Sequence, residues 1–201
     1  SSGLIDRVDV SHFRLSLHLV VAFLILSLIL WNYLKLNIRN NDKIKLNLNM
    51  LLIFIFLIFL QIIIGAFVSG MDAGLIYNSW PLMGNSYFPN DNELMNLFNI
   101  SVFSDPSLVQ FLHRNLAYLI IFFYLVIFFK IYSKKLKKSF LAINILGILL
   151  LLQILLGILT IINHAHIILA SMHQISSIFL VSVSIYLLYL NKKFNSFEQD
   201  N

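Results

Sequence analysis

The chain has 201 residues, 59% of them hydrophobic and 11% charged, with a mean hydropathy of +0.86. Ordinary soluble domains carry roughly a quarter charged residues, so this composition belongs to an integral membrane protein. The net charge of +5 comes without a basic soluble face, which excludes nucleic acid as a partner, and the lack of cysteine excludes disulfides and thiolate metal sites.

Five apolar runs reach the ~20 residues that a helix needs to cross a bilayer, which predicts an all-α polytopic protein. The first, 13–34, carries Arg14 and His18, four residues apart and so on one helix face. A basic loop, 35–47, follows with Lys35, Arg39, Lys43 and Lys45. The second run, 48–69, contains Gln61-Ile-Ile-Ile-Gly65. The loop 70–107 has no Lys or Arg; it carries Asp72, Asp91, Glu93 and Asp105 among Tyr77, Trp80, Pro81, Tyr87, Phe88 and Pro89. Its length and aromatic content predict an ordered cap over the helices. The third run, 108–132, holds His113 and Arg114 and leads into Lys130, Lys134, Lys135, Lys137 and Lys138. The fourth, 140–162, contains Gly147 and Gln153-Ile-Leu-Leu-Gly157 and ends in the turn Asn163-His164-Ala165-His166. The fifth, 167–190, carries His173 and leads into Lys192 and Lys193.

Eleven basic residues lie in the loops 35–47 and 130–139 and in the tail, against Arg7, Arg14 and Arg114 on the other side. The positive-inside rule places those loops and the tail inside, with Ser1 and 70–107 outside. An outer N-terminus without a signal peptide before it leads to the expectation that the sequence is a fragment or a processed product.

The Gln-x-x-x-Gly pattern occurs twice, each time on an outward helix followed by an outer loop and an inward helix with a histidine near its outer end. This is an internal repeat of helical hairpins, ending at His113 and at His173. The first run matches only the second half of the unit, so the repeat predicts at least one helix upstream. The expected units are 1–47, the last helix of an incomplete N-terminal bundle plus an inner loop; 48–190, a four-helix bundle with the outer loop 70–107; and the tail 191–201. Gln61 and Gln153 are read as interhelical hydrogen-bond partners, and Gly65, Gly147 and Gly157 as sites of close packing.

His113 and His173 lie about six residues into their helices, roughly 9 Å below the outer edge. Ionisable groups at such depth are functional by default. The pair has two readings: the axial ligands of a haem inside a four-helix bundle, or buried histidines hydrogen-bonded to neighbouring helices. His18 has the same depth without a partner in this sequence and is read as a ligand or a substrate contact. Arg114 calls for an anion: a haem propionate, Asp72 or Asp105, or else it snorkels to the outer interface. Arg14 has the same choice at another pocket. His164 and His166 read as solvated turn residues, a zinc site between them being the weaker alternative, and His12 as a solvated interfacial residue.

The motifs resemble the haem A synthase family in its cysteine-free alphaproteobacterial and mitochondrial type. Most specific is Gly65-Ala66-Phe67-Val68-Ser69-Gly70-Met71-Asp72-Ala73-Gly74, continued by Tyr77-Asn78-Ser79-Trp80-Pro81-Leu82-Met83. Ser2-Gly3-Leu4, Arg7 through Ser11, Arg14-Leu15, His18-Leu19, Val109-Gln110-Phe111, His113-Arg114, Gln153, Leu156-Gly157, His164 and His173-Gln174 extend the match from Ser2 to about Tyr189. His166 departs from the family, which often has proline there.

That family has eight membrane helices in two pseudo-symmetric four-helix bundles, and this sequence would match the fourth to the eighth. The resemblance implies a haem b in the last four helices, held by His113 and His173, and a haem O substrate in the other bundle with His18 as its ligand. Arg114, Arg14, His164 and Trp80 are the residues it brings forward for propionate or pocket contacts. The family's other substrate-side histidine and an essential glutamate belong to a helix this sequence does not contain. The implied reaction oxidises a methyl group of haem O to a formyl group, making haem A for cytochrome oxidase. Implied partners are haem O, haem O synthase, an electron donor and membrane lipid, with room for a homo-oligomer. The setting would be a bacterial cell membrane or the mitochondrial inner membrane.

Three other functions compete. A bis-histidine cytochrome b moving electrons across the membrane would want a second haem near the inner face, and no histidine lies in the inner half of any run. A transporter would show charged or broken helices at the midplane. A haem-binding remnant without catalysis would share every motif. The topology has a direct check, because the chain lacks native cysteine. Cysteines placed at Asn40 and Asn85 should react with an impermeant thiol reagent from opposite sides, and labelling from one side would overturn the five-span arrangement.

Overall fold

The computed structural model describes residues 11–38 and 46–192. Among them five helices are long and apolar enough to cross a membrane. They are α1 His12–Asn37, α2 Leu48–Gly70, α3 Pro106–Ser133, α4 Lys137–Ile162 and α5 Ile167–Asn191. The protein is all-α and multi-pass. Ser2 to Val10 of the sequence motif, and the basic residues Arg7, Arg39, Lys43, Lys45 and Lys193, lie outside the described residues.

The helices outrun their apolar runs because helical hydrogen bonding continues until a cap or turn stops it. α1 and α4 have 26 residues each, about 39 Å against a hydrocarbon core of about 30 Å. α3 starts where Pro106 needs no hydrogen-bond acceptor and the Asp105 carboxylate accepts from the Leu108 N–H at 2.9 Å. Asn47 caps α2 by accepting from the Asn49 N–H at 2.9 Å. α4 ends as His164 and Ala165 take left-handed conformations, with φ of 52° and 54°. The Ala165 N–H then closes back on the Thr160 carbonyl at 2.8 Å.

α2, α3, α4 and α5 each pack on the next, and α5 returns to α2, which closes a four-helix bundle; α1 lies outside it against α2 and α5. The inner half of the bundle is solid. Leu51 and Phe54 of α2, Ile127 and Ile131 of α3, Ile143 and Leu146 of α4, and Leu187 of α5 are fully buried there. Polar groups at the inner end satisfy one another. Asn191 donates to the Leu187 carbonyl at 2.8 Å and the Ser139 hydroxyl at 3.2 Å, and accepts from the Leu46 N–H at 3.4 Å. The Tyr189 hydroxyl donates to the Ile38 carbonyl, tying α5 to α1.

At the outer end α1 crosses α2 closely. A Cβ on Gly70 would lie 2.8 Å from the His12 Cα, so only glycine permits this crossing. The segment between α2 and α3 folds over the outer ends through short 3-10 turns at Ala73–Leu75, Leu94–Phe98 and Ile100–Ser104. Its Ala73 and Met83 are buried.

Candidate functional site

The repeat seen in the sequence is a repeat in space. The Gln61 side-chain amide of α2 donates to the His113 carbonyl of α3 at 3.1 Å, and the Gln153 amide of α4 donates to the His173 carbonyl of α5 at 3.1 Å. One turn further out, Gly65 and Gly157 face the two imidazoles. A Cβ on Gly65 would come within 3.0 Å of His113 Cε1, and one on Gly157 within 3.3 Å of His173 Cε1. These two glycines do more than let helices approach: each makes a notch for a ring. Gly147 instead faces the Tyr124 hydroxyl, which a Cβ would meet at 2.2 Å.

The two rings come together between α3 and α5. Their centroids are 6.5 Å apart with planes at 73°. Each ring has a buried Nδ1 with no hydrogen-bond partner. The copies differ in one respect. The Gln61 amide nitrogen is also 3.3 Å from His113 Nε2, whereas the Gln153 amide turns to the Ser176 hydroxyl at 2.7 Å.

Arg114 does not meet Asp72 or Asp105. Its guanidinium donates to the backbone carbonyls of Leu82 at 3.3 Å and Tyr77 at 3.1 Å, and its buried Nε has no partner. Asp105 is engaged in capping α3, and the loop lays its carbonyls over the buried arginine. Gln110, one turn before Arg114, donates to the same Tyr77 carbonyl at 3.0 Å. His164 is exposed but not merely solvated; its Nδ1 is 3.0 Å from Asn78 Oδ1. The Asn78 amide donates to the Gly74 carbonyl at 2.7 Å and the Ile161 carbonyl at 3.0 Å. The outer loop is thereby pinned to α3 by Arg114 and Gln110, and to the α4–α5 turn by Asn78.

His18 and Arg14 are exposed on α1, away from the His113–His173 pair, and Trp80 is 45% exposed in the outer loop. His12 is not the solvated residue expected; its ring packs on Phe13 and Phe67 with centroids 4.2 and 5.3 Å away. The close crossing at Gly70 draws it in. Among the described residues no three potential metal ligands of the His, Cys, Asp or Glu type cluster, so His164 and His166 have no such companion. Sequence reasoning missed the part of Gln110 as Arg114's companion, although their four-residue spacing puts both on one face. It also missed Ser176, one turn beyond His173.

A family model described as cytochrome oxidase assembly protein matches residues 1–185. The chain is 47% identical over 191 residues to a heme A synthase of Pelagibacter ubique, covering 95% of this chain and 56% of that protein. It is 39% identical over 199 residues to one from Rickettsia felis, covering 95% and 58%. With one from Flavobacterium johnsoniae it shares 38% identity over 195 residues, covering 94% and 57%. The chain thus spans a little over half the length of these relatives.

Asp91 of the outer loop is held by two hydroxyl groups. Asp91 accepts from the Tyr77 hydroxyl at 2.9 Å and the Ser107 hydroxyl at 2.6 Å. Burial pushes its pKa up, but the hydrogen bonds from Ser107 and Tyr77 outweigh burial and hold it below the ordinary carboxylate value. Burial and then the Asp91 hydrogen bond push the Tyr77 phenol up. A lowered carboxylate pKa stabilises the folded loop above the ordinary value of about 3.9 and loses that contribution as pH falls through the lowered one. Amide exchange in 70–107, corrected for its intrinsic pH dependence, should therefore quicken only below about pH 4. Asp91→Asn should exchange faster at neutral pH and lack the acid step; identical profiles for the two proteins would refute the clasp.

Proposed function

This chain belongs to the haem A synthase family of cytochrome oxidase assembly proteins, and on that premise we propose that it is the electron-delivering portion of such an enzyme, with one haem b held between His113 and His173. The observation that carries this reading is the imidazole pair at equivalent places of two repeats. Metal–imidazole bonds of about 2 Å would put the centroids of two axial rings roughly 6 Å apart. The separation of 6.5 Å, the unpartnered Nδ1 atoms and the glycine notches all fit that group.

When bound, the haem supplies one-electron redox chemistry. His113 and His173 would hold it from its two sides, an arrangement that would suit electron transfer rather than oxygen binding. Gln61 and Gln153 fix the backbone that carries each ligand. Arg114 puts a buried positive charge one residue from His113, with its Nε free to meet a propionate. The outer loop, pinned through Tyr77 and Asn78, keeps water from the pair, with Trp80 and His164 at its rim.

Residues 48–190 make up the haem b unit in this reading, and 1–47 belong to a second, substrate-side unit. His18 is the ligand for haem O there and Arg14 a partner for its acidic groups. Their exposure on α1, facing away from the bundle, supports that division. Oxidising the substrate's methyl group to a formyl group needs an oxidant, in this reading dioxygen. Each of two oxygen insertions takes two electrons and two protons and releases one water, and the resulting geminal diol loses a further water to give the formyl group. The electrons arrive through the haem b unit from a separate donor. A haem O synthase supplies the substrate. The rival, a cytochrome b with a second haem near the inner face, is opposed by the aliphatic packing that fills the inner half of the bundle.

His113→Ala and His173→Ala should each abolish the six-coordinate low-spin spectrum of the haem-loaded protein, and Gly65→Val should do the same by filling the notch. His164→Ala should change it much less. A low-spin spectrum that survives either histidine change removes that residue from the ligand pair.

Turnover is a separate matter. These 201 residues should bind one haem yet yield no haem A from haem O with dioxygen and an electron donor, as read by chromatography of extracted haems. A chain carrying the further helices of the relatives should yield it. Haem A made by the 201 residues alone would show that His18 does not belong to a divided substrate site.

A further inference from the structure

The outer loop ends in a stretch that the proposed function does not use. Residues 94–104 contain no charged side chain and are bracketed by Glu93 and Asp105. Met95 is 73% exposed, Phe98 86% and Ile100 90%. A water-facing loop seldom gathers such side chains, and a contiguous exposed apolar patch of this kind marks an interaction surface.

The position of the patch names the occupant. Val102 is buried, and Phe103 packs edge-on against Phe67 of α2 with ring centroids 6.1 Å apart. Phe67 lies three residues before the end of α2, a helix of 23 residues that spans about 35 Å, only slightly more than the hydrocarbon core. The patch therefore hangs at the outer hydrocarbon boundary, continuous with the lipid-facing surface of the helices. Asn99, Ser101 and Ser104 stay exposed among the apolar side chains, while Asn96 and part of the backbone are satisfied within the loop. The Asn96 side chain donates to Asn92 Oδ1 at 3.1 Å, and the N–H groups of Asn96, Asn99 and Val102 reach the Glu93, Asn96 and Asn99 carbonyls at 2.9, 3.2 and 3.0 Å. Backbone donors satisfied in this way tolerate the interface, where water is scarce.

We propose that residues 94–104 form a lipid-seated foot of the outer loop, with Met95, Phe98 and Ile100 inserted into the acyl boundary of the outer leaflet. The foot works as an interfacial amphipathic segment does, by apolar burial without spanning. Together with the Arg114 and Asn78 pins it fixes the loop at three places around the bundle mouth.

The absence of cysteine makes the test clean. A nitroxide is attached at Phe98→Cys in the full chain, reconstituted in phosphatidylcholine–phosphatidylglycerol vesicles, and its collisions with oxygen and with a water-soluble nickel chelate are measured. Leu151→Cys on the exposed flank of α4 serves as the lipid reference and the exposed Asn85→Cys as the water reference. The Phe98 label should collide with oxygen within about twofold of the Leu151 label, and with the chelate at least about fivefold less than the Asn85 label. Ile100→Cys carries the same test should the Phe98 variant not fold. Chelate collisions equal to those at Asn85 would place the stretch in water and overturn the proposal. A label shielded from both agents would overturn it too, because another protein surface would then cover the patch.

Discussion

A glutamine amide placed on the carbonyl of a histidine, and made twice, sets the geometry on which the outer half of this bundle depends. Each histidine carbonyl lies inside a helix and has a second lone pair to offer. In lipid no water competes for it, so an amide on the facing helix is the natural partner. The energy is modest, about 0.6–2 kcal/mol for a polar contact between membrane helices. The value of the contact lies in registry. It fixes the rotation and height of α3 against α2 and of α5 against α4. The glycine one turn further out then admits the ring that this registry delivers. Hydrogen bond and notch form one device, and neither would place an imidazole alone.

The device has diverged between its copies. Gln61 keeps its amide near the His113 ring, whereas Ser176 draws the Gln153 amide away from the His173 ring. The two imidazoles thus sit in similar notches with different polar neighbours. The bundle is divided along its length as well: close-packed, mostly aliphatic side chains close the inner half, and the two histidines and Arg114 lie in the outer half beneath the loop.

The spans and the hairpin repeat were legible because membrane helices declare themselves by composition, and a repeat by spacing. The glutamines were legible as hydrogen-bond partners because an amide in lipid must find one. The glycine notches were not. Gly65, Gly147 and Gly157 look alike in sequence, yet two face histidine rings and one faces Tyr124. Only the rotation of the neighbouring helix separates these cases, and that rotation is a property of two segments together. Arg114 illustrates a second limit. Its charge called for an anion, and neither Asp72 nor Asp105 supplies one; two carbonyl oxygens of the folded loop meet its guanidinium, and loop carbonyls leave no mark in a sequence. His12 was misjudged because its surroundings are set by Gly70, far along the chain.

The solid inner half has an electrical consequence. His113 lies seven residues from the outer start of α3, about 10 Å along a helix, and the aliphatic plug fills most of the remaining depth. A charge brought to the histidine pair from the outer side therefore crosses only about a third of a 30 Å barrier. With the full drop worth about 2.3 kcal/mol per charge at 100 mV, that step costs or gains only about 0.8 kcal/mol. A charge held at this depth therefore feels about a third of the voltage across the membrane, whatever group carries it.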